Sequence, residues 1–261
     1  MDQLTLNTVR RGDGRPLVLV HGIGSSWANW LPVLPALAEH RRVIAIDLPG
    51  FGQSAPLPGP VTMATLTDAV EGFLAAEGIP DADVVGSSMG ARMVLEMARR
   101  GHAGSVVALD PGGFWSPGQQ IAFGVTIGAS VALVRAIQPL LPRLTRSRVG
   151  RAALLAQFSN HAWRLDPALV LTELRGFDDS PSLDEALDAL VNGPSQAGAE
   201  TTKGRVAIGW GRQDRVTLPS QATTALERFP TATFRGFHHC GHFPHWDQPA
   251  QAIRFILDST Q

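Results

Sequence analysis

Two hydrophobic rhythms alternate along the chain. Short runs of consecutive apolar residues, LTLNTVR (4–10), PLVLV (16–20), VIAI (43–46), DVV (83–85), SVVAL (105–109), RVAIGW (205–210) and TATFRGF (231–237), have the length and β-branched content of buried strands. Between them lie longer stretches with apolar positions at helical spacing, at 27–38, 65–77, 89–100, 219–228 and 248–258. The first two strands flank RRGDG, which reads as a hairpin-like turn. Strand–helix alternation of this kind predicts an α/β fold with a mostly parallel sheet.

The alternation stops between about 114 and 200. That region reads as helices punctuated by Pro117, Pro139, Pro142, Pro167, Pro181 and Pro194. The expected organisation is a core of 1–112 and 200–261, with a helical insertion at 113–199. Residues 111–134 carry no charge, but their mainly apolar part is shorter than the roughly 20 residues a membrane span needs. A buried or cavity-facing helix is predicted there, with no membrane span.

Composition narrows the classes. Hydrophobic residues make up 44% and charged residues 17%, enough for a large core, and the net charge of −1 gives no electrostatic case for nucleic acid or an anionic membrane. Cys240 is the single cysteine, so neither an intramolecular disulfide nor a cysteine-rich metal site is available. Its expected role is a small buried residue. The opening MDQLTLNTVRRGDG lacks the pattern of a secretory signal, which makes a cytoplasmic location the expectation.

The candidate chemistry begins at GSSMG (86–90), directly after an apolar run and at the start of a helix. Read as G-x-S-x-G, it puts Ser88 on a sharp strand-to-helix turn, where flanking glycines avoid clashes and the helix N-terminus favours negative charge. The structural alternative is a serine that only caps the helix. Ser87 occupies the variable position, so its side chain is not the one expected to be exposed.

A serine nucleophile needs a histidine base and a carboxylate to orient it. Among His238, His239, His242 and His245, only His242 lies in a loop, CGHFP, just before a helix. Asp214 and Asp110 each follow a strand; the chain order Ser88, Asp214, His242 favours Asp214, with Asp110 as the alternative acid or a turn residue before Pro111. In HGIGSS (21–26), Gly22 frees the backbone to turn, so that the N–H groups of Ile23 and Met89 can form an oxyanion hole. His21 is expected to brace that loop.

Together LVLVHGIGSS, VIAIDLPGFGQS, DVVGSSMGAR, IGWGRQDRVTLP and CGHFPHWDQP resemble, in order and spacing, the α/β-hydrolase superfamily. The resemblance implies an eight-stranded, mostly parallel sheet with a helical cap and a Ser88–His242–Asp214 triad; the acyl-transfer chemistry expected of that triad requires no metal or organic cofactor. Dehalogenase and epoxide-hydrolase relatives carry aspartate at the elbow, so Ser88 points to the serine members. These include esterases, lipases, lactonases and hydrolases of carbon–carbon bonds in ring-cleavage products. The last group resembles this chain at His245-Trp246-Asp247 and uses a cap arginine for an acidic substrate, a role open to Arg164 or Arg175, whose alternative is a solvated side chain or one paired with nearby carboxylates.

The expected activity is hydrolysis of a small apolar carboxylic ester through an acyl-enzyme. Two alternatives remain: a carbon–carbon bond hydrolase of dienone acids, and a receptor-like relative that binds and turns over slowly. Candidates for the pocket are Gly22, Trp27, Trp115, Phe123 and Phe243, with Ile121, Val125, Ile127, Val131 and Leu133 as further wall; plain core packing is the alternative for the tryptophans and for the 121–134 stripe. The expected partner is a small-molecule substrate, and a homodimer is left open.

Overall fold

The structure, a computed structural model, describes residues 5–260. Its strands are β1 (Thr8–Arg11), β2 (Pro16–Val20), β3 (Arg42–Ile46), β4 (Asp83–Ser87), β5 (Val106–Leu109), β6 (Val206–Gly211) and β7 (Thr233–Phe237). They form one sheet in the order β1-β3-β2-β4-β5-β6-β7. β1 is antiparallel to β3, and every other pairing is parallel.

Two expectations need correction. The sheet has seven strands among the described residues, not eight; the seven apolar runs are its seven strands, and the eighth came from the family resemblance alone. Residue 4, the predicted start of the first strand, lies outside the described residues. Nor is RRGDG a hairpin. β1 pairs with β3, and β2 lies beyond it, paired to β3 and β4. All five residues of β2 are apolar, so it takes a central place covered on both faces.

The period of two sorts each strand between two cores. Val18, Val20, Ile44, Ile46 and Val84 face one side of the sheet. Leu17, Leu19, Val43, Ala45 and Val85 face the other. Burying each of these valine, leucine and isoleucine side chains contributes about 1.5–3 kcal/mol. Helices Met63–Ala76 and Met89–Arg100 cover the first face; Leu34–Ala38 and Pro249–Ser259 cover the second. The predicted helix at 27–38 is broken into a 3-10 turn, Trp27–Trp30, and the short helix Leu34–Ala38. Pro32, which lacks an N–H and crowds the preceding turn, lies at the break.

Between β5 and β6 the chain is helical, as expected: Pro117–Ala136, Leu141–Leu144, Arg148–Leu154, Pro167–Asp179 and Leu183–Val191, joined by 3-10 turns. Pro117, Pro139, Pro142 and Pro167 each sit in a first turn, where a missing N–H costs nothing. Pro117–Ala136 is 20 residues long, and its length and composition would suffice to cross a membrane. Phe123, Ile127, Val131 and Val134 are its buried stripe. Ile121, Val125 and Leu133, predicted to line the cavity wall, instead point outward and are exposed. The apolar residues run all round this helix, so spacing alone could not choose the inward face.

Candidate active site

The backbone singles out Ser88. It follows β4 directly, precedes helix Met89–Arg100, and has φ 55° and ψ −112°. A non-glycine residue held there stores about 1–3 kcal/mol of strain. Two close approaches hold it. A methyl group on Gly86 would overlap the Gly90 carbonyl, and one on Gly90 would overlap the Val20 carbonyl. The Ser88 hydroxyl makes no cap bond to its helix. Instead Oγ lies 2.8 Å from His242 Nε2. Ser87 ends β4 fully buried, with its hydroxyl unpartnered.

His242 is buried, and its Nδ1 lies 2.8 Å from Asp214 Oδ2. A carboxylate can only accept, so Nδ1 carries the proton and Nε2 is free to accept one from Ser88. Asp214 is fixed in turn. Oδ1 accepts from the N–H groups of Val216 (2.7 Å) and Thr217 (3.1 Å), and Oδ2 accepts from Thr217 Oγ1 at 2.7 Å. Asp110 lies behind this array with a positive φ of 49°, accepting from Gly211 N at 2.7 Å. Burial, then the nearby Asp214 charge, raise its carboxyl well above the usual carboxylate range. The histidine's partner is therefore Asp214, and Asp110 buttresses it. Asp110, Asp214 and His242 could offer a metal three ligand atoms within 4.8 Å of one another, but Asp214 and Ser88 already engage both imidazole nitrogens.

Gly22 brings the HGIGSS loop against the serine: a methyl group there would lie 3.1 Å from Ser88 Cβ. Met89 begins its helix, so its N–H has no intrahelical acceptor. His21 braces the loop from beneath, with Nδ1 2.7 Å from Gly22 O and Nε2 accepting from Leu48 N at 2.9 Å. Burial lowers its pKa. Asp47 of the DLPGFGQS stretch adds a second brace, accepting from the N–H groups of Trp27 (2.7 Å) and Gln53 (2.9 Å).

A cavity opens above Ser88 and His242, beneath the inserted helices. Gly22, Ile23, Phe123 and Phe243 line it as expected. Trp27, Trp115, Arg164 and Arg175 do not. Trp27 packs against the two cores beside the loop, and Trp115 stacks behind Phe123 with ring centroids 4.8 Å apart. Arg164 and Arg175 are exposed, Arg164 lying over the Trp163 ring. Nothing at their positions turns them inward: each sits on a solvated helix face.

The sequence reading missed Phe158, Phe177, Trp246 and above all Glu173, all of which line the cavity. Glu173 sits on helix Pro167–Asp179 at i+4 from Leu169 and i−4 from Phe177, so it falls on the apolar face. That placement was its one sequence signal. Burial pushes its carboxyl up to about 7, against hydrogen bonds from Asn29 and Ser25 that favour the ionised form. His245, stacked on Trp30, is pushed down to about 3 by burial. Cys240 is buried, and burial with three nearby carboxylates raises its thiol, so it stays a thiol at neutral pH.

Besides the Glu173 hydrogen bonds to Ser25 and Asn29, two ties hold the insert to this site. The buried Asp247 carboxylate accepts from Ser159 Oγ (2.5 Å), Asn160 N (2.9 Å) and His161 N (3.1 Å) on one side, and from Gly241 N (2.7 Å) on the other. His242 N also donates to Phe158 O at 2.7 Å. The second tie is a close approach of Gly176 to the Gly24 carbonyl, which a methyl group on Gly176 would overlap.

Comparison with known proteins agrees with this architecture. The sequence profile described as "Alpha/beta hydrolase family" matches residues 17–254. The 2-hydroxymuconate semialdehyde hydrolase of Pseudomonas sp. strain CF600 is 32% identical over 263 residues, covering 94% of this chain and 85% of that protein. The dihydrolipoyllysine-residue acetyltransferase component of the acetoin cleaving system of Cupriavidus necator is 32% identical over 256 residues, or 93% of this chain. The chain spans 63% of that protein's length. In fold, the enol-lactonase from Burkholderia xenovorans LB400 superposes with a TM-score of 0.77 at 19% identity, covering 98% of this chain and 96% of that one.

Proposed function

We propose that this chain, which belongs to the alpha/beta hydrolase family, is a hydrolase that cleaves a small, mainly apolar carboxylic ester through a Ser88 acyl-enzyme. The observation that carries this reading is the continuous chain Ser88 Oγ–His242 Nε2 and His242 Nδ1–Asp214 Oδ2, each link 2.8 Å long.

Ser88 Oγ attacks the ester carbonyl while His242 Nε2 takes its proton. The tetrahedral oxyanion is met by the N–H groups of Ile23 and Met89, each contributing about 3 kcal/mol to the transition state. Asp214 holds the imidazole in its Nδ1–H tautomer and stabilises the imidazolium. The imidazolium returns the proton to the leaving alkoxide, and the alcohol departs. Water then attacks the acyl-enzyme, losing a proton to Nε2, and Ser88 is regenerated as the acid leaves.

The similarity to a 2-hydroxymuconate semialdehyde hydrolase supports a second reading, cleavage of a carbon–carbon bond in an acidic dienone. The cavity lining weighs against it. Among the described residues it holds a glutamate and no arginine, so an anionic substrate would meet a like charge once Glu173 ionises. A ligand-binding protein with slow turnover is the reading from a different class.

The test is labelling with a fluorophosphonate, followed by peptide mapping and steady-state kinetics on short esters. One adduct on Ser88, lost in His242→Ala, together with repeated turnover, is the expected result. A folded protein that takes no label and turns over no ester would overturn the proposal.

A further inference from the structure

Among the described residues, the cavity lining holds one ionisable side chain besides the serine and histidine, Glu173. It is 5% exposed. Its two oxygens have different fates. Oε2 accepts from Ser25 Oγ and Asn29 Nδ2, each at 2.7 Å. Oε1 is equally buried and has no hydrogen-bond partner. Native proteins rarely leave a buried carboxyl oxygen unpaired, because the lost hydration is not replaced.

The surrounding network fixes which oxygen is left over. Asn29 Oδ1 lies 2.6 Å from His245 Nε2, and the Asn29 carbonyl accepts from Trp246 Nε1 at 2.8 Å. With its oxygen turned to His245, the Asn29 amide presents N–H to Glu173. Ser25 and Asn29 thus pin Oε2 and leave Oε1 unpaired on a residue of the cavity wall. The rest of the nearby wall is apolar: Phe123, Ile127, Phe158, Leu174, Phe177 and Trp246.

We propose that Glu173 Oε1 binds a hydroxyl group carried by the substrate, so that the preferred ester is hydroxylated and the insert holds that hydroxyl while Ser88 attacks the carbonyl. The inference rests on the serine-hydrolase reading for the attack but not for the binding. A hydroxyl suits this position because it can donate to a carboxylate and accept from a carboxyl, so it pairs with Glu173 in either state. An ammonium would bring a full charge against an apolar wall, and a carboxylate would face like charge. A merely structural role, tying the insert to the 22–29 loop, uses Oε2 alone and leaves Oε1 without purpose.

Glu173→Gln separates the two roles. The single amide oxygen is claimed by Ser25 and Asn29, so the structural bonds persist. An NH2 group, which can only donate, then stands where Oε1 was. At pH 8 the probes are ethyl 3-hydroxybutanoate with its 3-methoxy analogue, and 2-hydroxyethyl butanoate with its 2-methoxyethyl analogue. The first pair tests the acyl side and the second the alcohol side. In the natural protein, kcat/KM for one hydroxy ester should exceed that for its methoxy partner by about tenfold or more, and in Glu173→Gln that ratio should fall toward one. An identical ratio in both proteins for both pairs would overturn the inference. If no ester is turned over, the hydrolase reading fails instead. The inference is then decided by calorimetric binding of the same pairs to Ser88→Ala and to Ser88→Ala/Glu173→Gln. Equal affinity for hydroxy and methoxy esters in Ser88→Ala would sink it.

Discussion

Two buried polar clusters face the same cavity from opposite sides, and they are built differently. On the sheet side, Ser88, Asp214 and His242 each follow a parallel strand, and each demands something of its local backbone: glycines around Ser88, a turn after β6, a glycine before His242. On the insert side, Glu173 meets Ser25 and Asn29, 148 and 144 residues away along the chain, and Asn29 in turn meets His245, 216 residues from it. Ser25 lies in the HGIGSS loop and His245 in the His245-Trp246-Asp247 run, but neither motif announces this contact, and Glu173 and Asn29 carry no local signature. The first cluster is a device of the fold. The second exists only because a particular insert has been laid over a particular loop.

Removing the sheet-side cluster should have the largest effect. Ser88→Ala and His242→Ala are expected to lower kcat by about 10⁴-fold or more, with an unchanged circular-dichroism spectrum. A loss below tenfold would mean the two clusters had been ranked wrongly. Next comes the packing that supports the serine. Gly90→Ala forces a methyl group into the Val20 carbonyl, with backbone on both sides and nothing able to yield. We expect a loss of about 3 kcal/mol or more in chemical denaturation, or failure to fold.

The insert-side cluster should show itself in pH dependence. The folded-state pKa of Glu173, about 7, lies above its ordinary value of 4.5. Between those values the folded protein holds a proton that the unfolded chain releases. The stability contributed by this group is therefore greatest below 4.5, falls as pH rises toward 7, and is level above it. The fall is at most about 3 kcal/mol. His21 and His245, lowered by burial, tilt stability the opposite way, so the quantity to measure is the difference between the natural protein and Glu173→Gln from pH 4 to 8. A flat difference would place Glu173 in a wetter setting than its burial indicates. Smaller again is Gly176→Ala, which pushes the insert helix off the Gly24 carbonyl. It should cost about 10- to 100-fold in kcat/KM while the core melts almost as before.

The same contrast explains what could be read from the sequence. Strands, flanking helices and the serine, histidine and aspartate were legible because each rests on a short-range rule: period two in β2, glycine spacing at Ser88, chain order for Asp214 and His242. What was not legible depended on docking. Which face of Pro117–Ala136 turns inward was decided by the neighbours it meets, so Phe123 and Ile127 were placed correctly, while Ile121, Val125 and Leu133 were not. Charge and position in the insert point to Arg164 and Arg175, yet among the described residues the cavity wall holds instead an acid, Glu173, on a helix face that otherwise reads as core.

Asp247 makes the insert and the histidine loop heritable only together. Its carboxylate gathers donors from 159–161 and from Gly241 at once. A chimera that exchanged the insert as a cassette would strand that acid without three of its donors and release the loop carrying His242, whatever cavity the graft brought. The transplantable module is therefore discontinuous in sequence, with the C-terminal loop travelling as part of the lid.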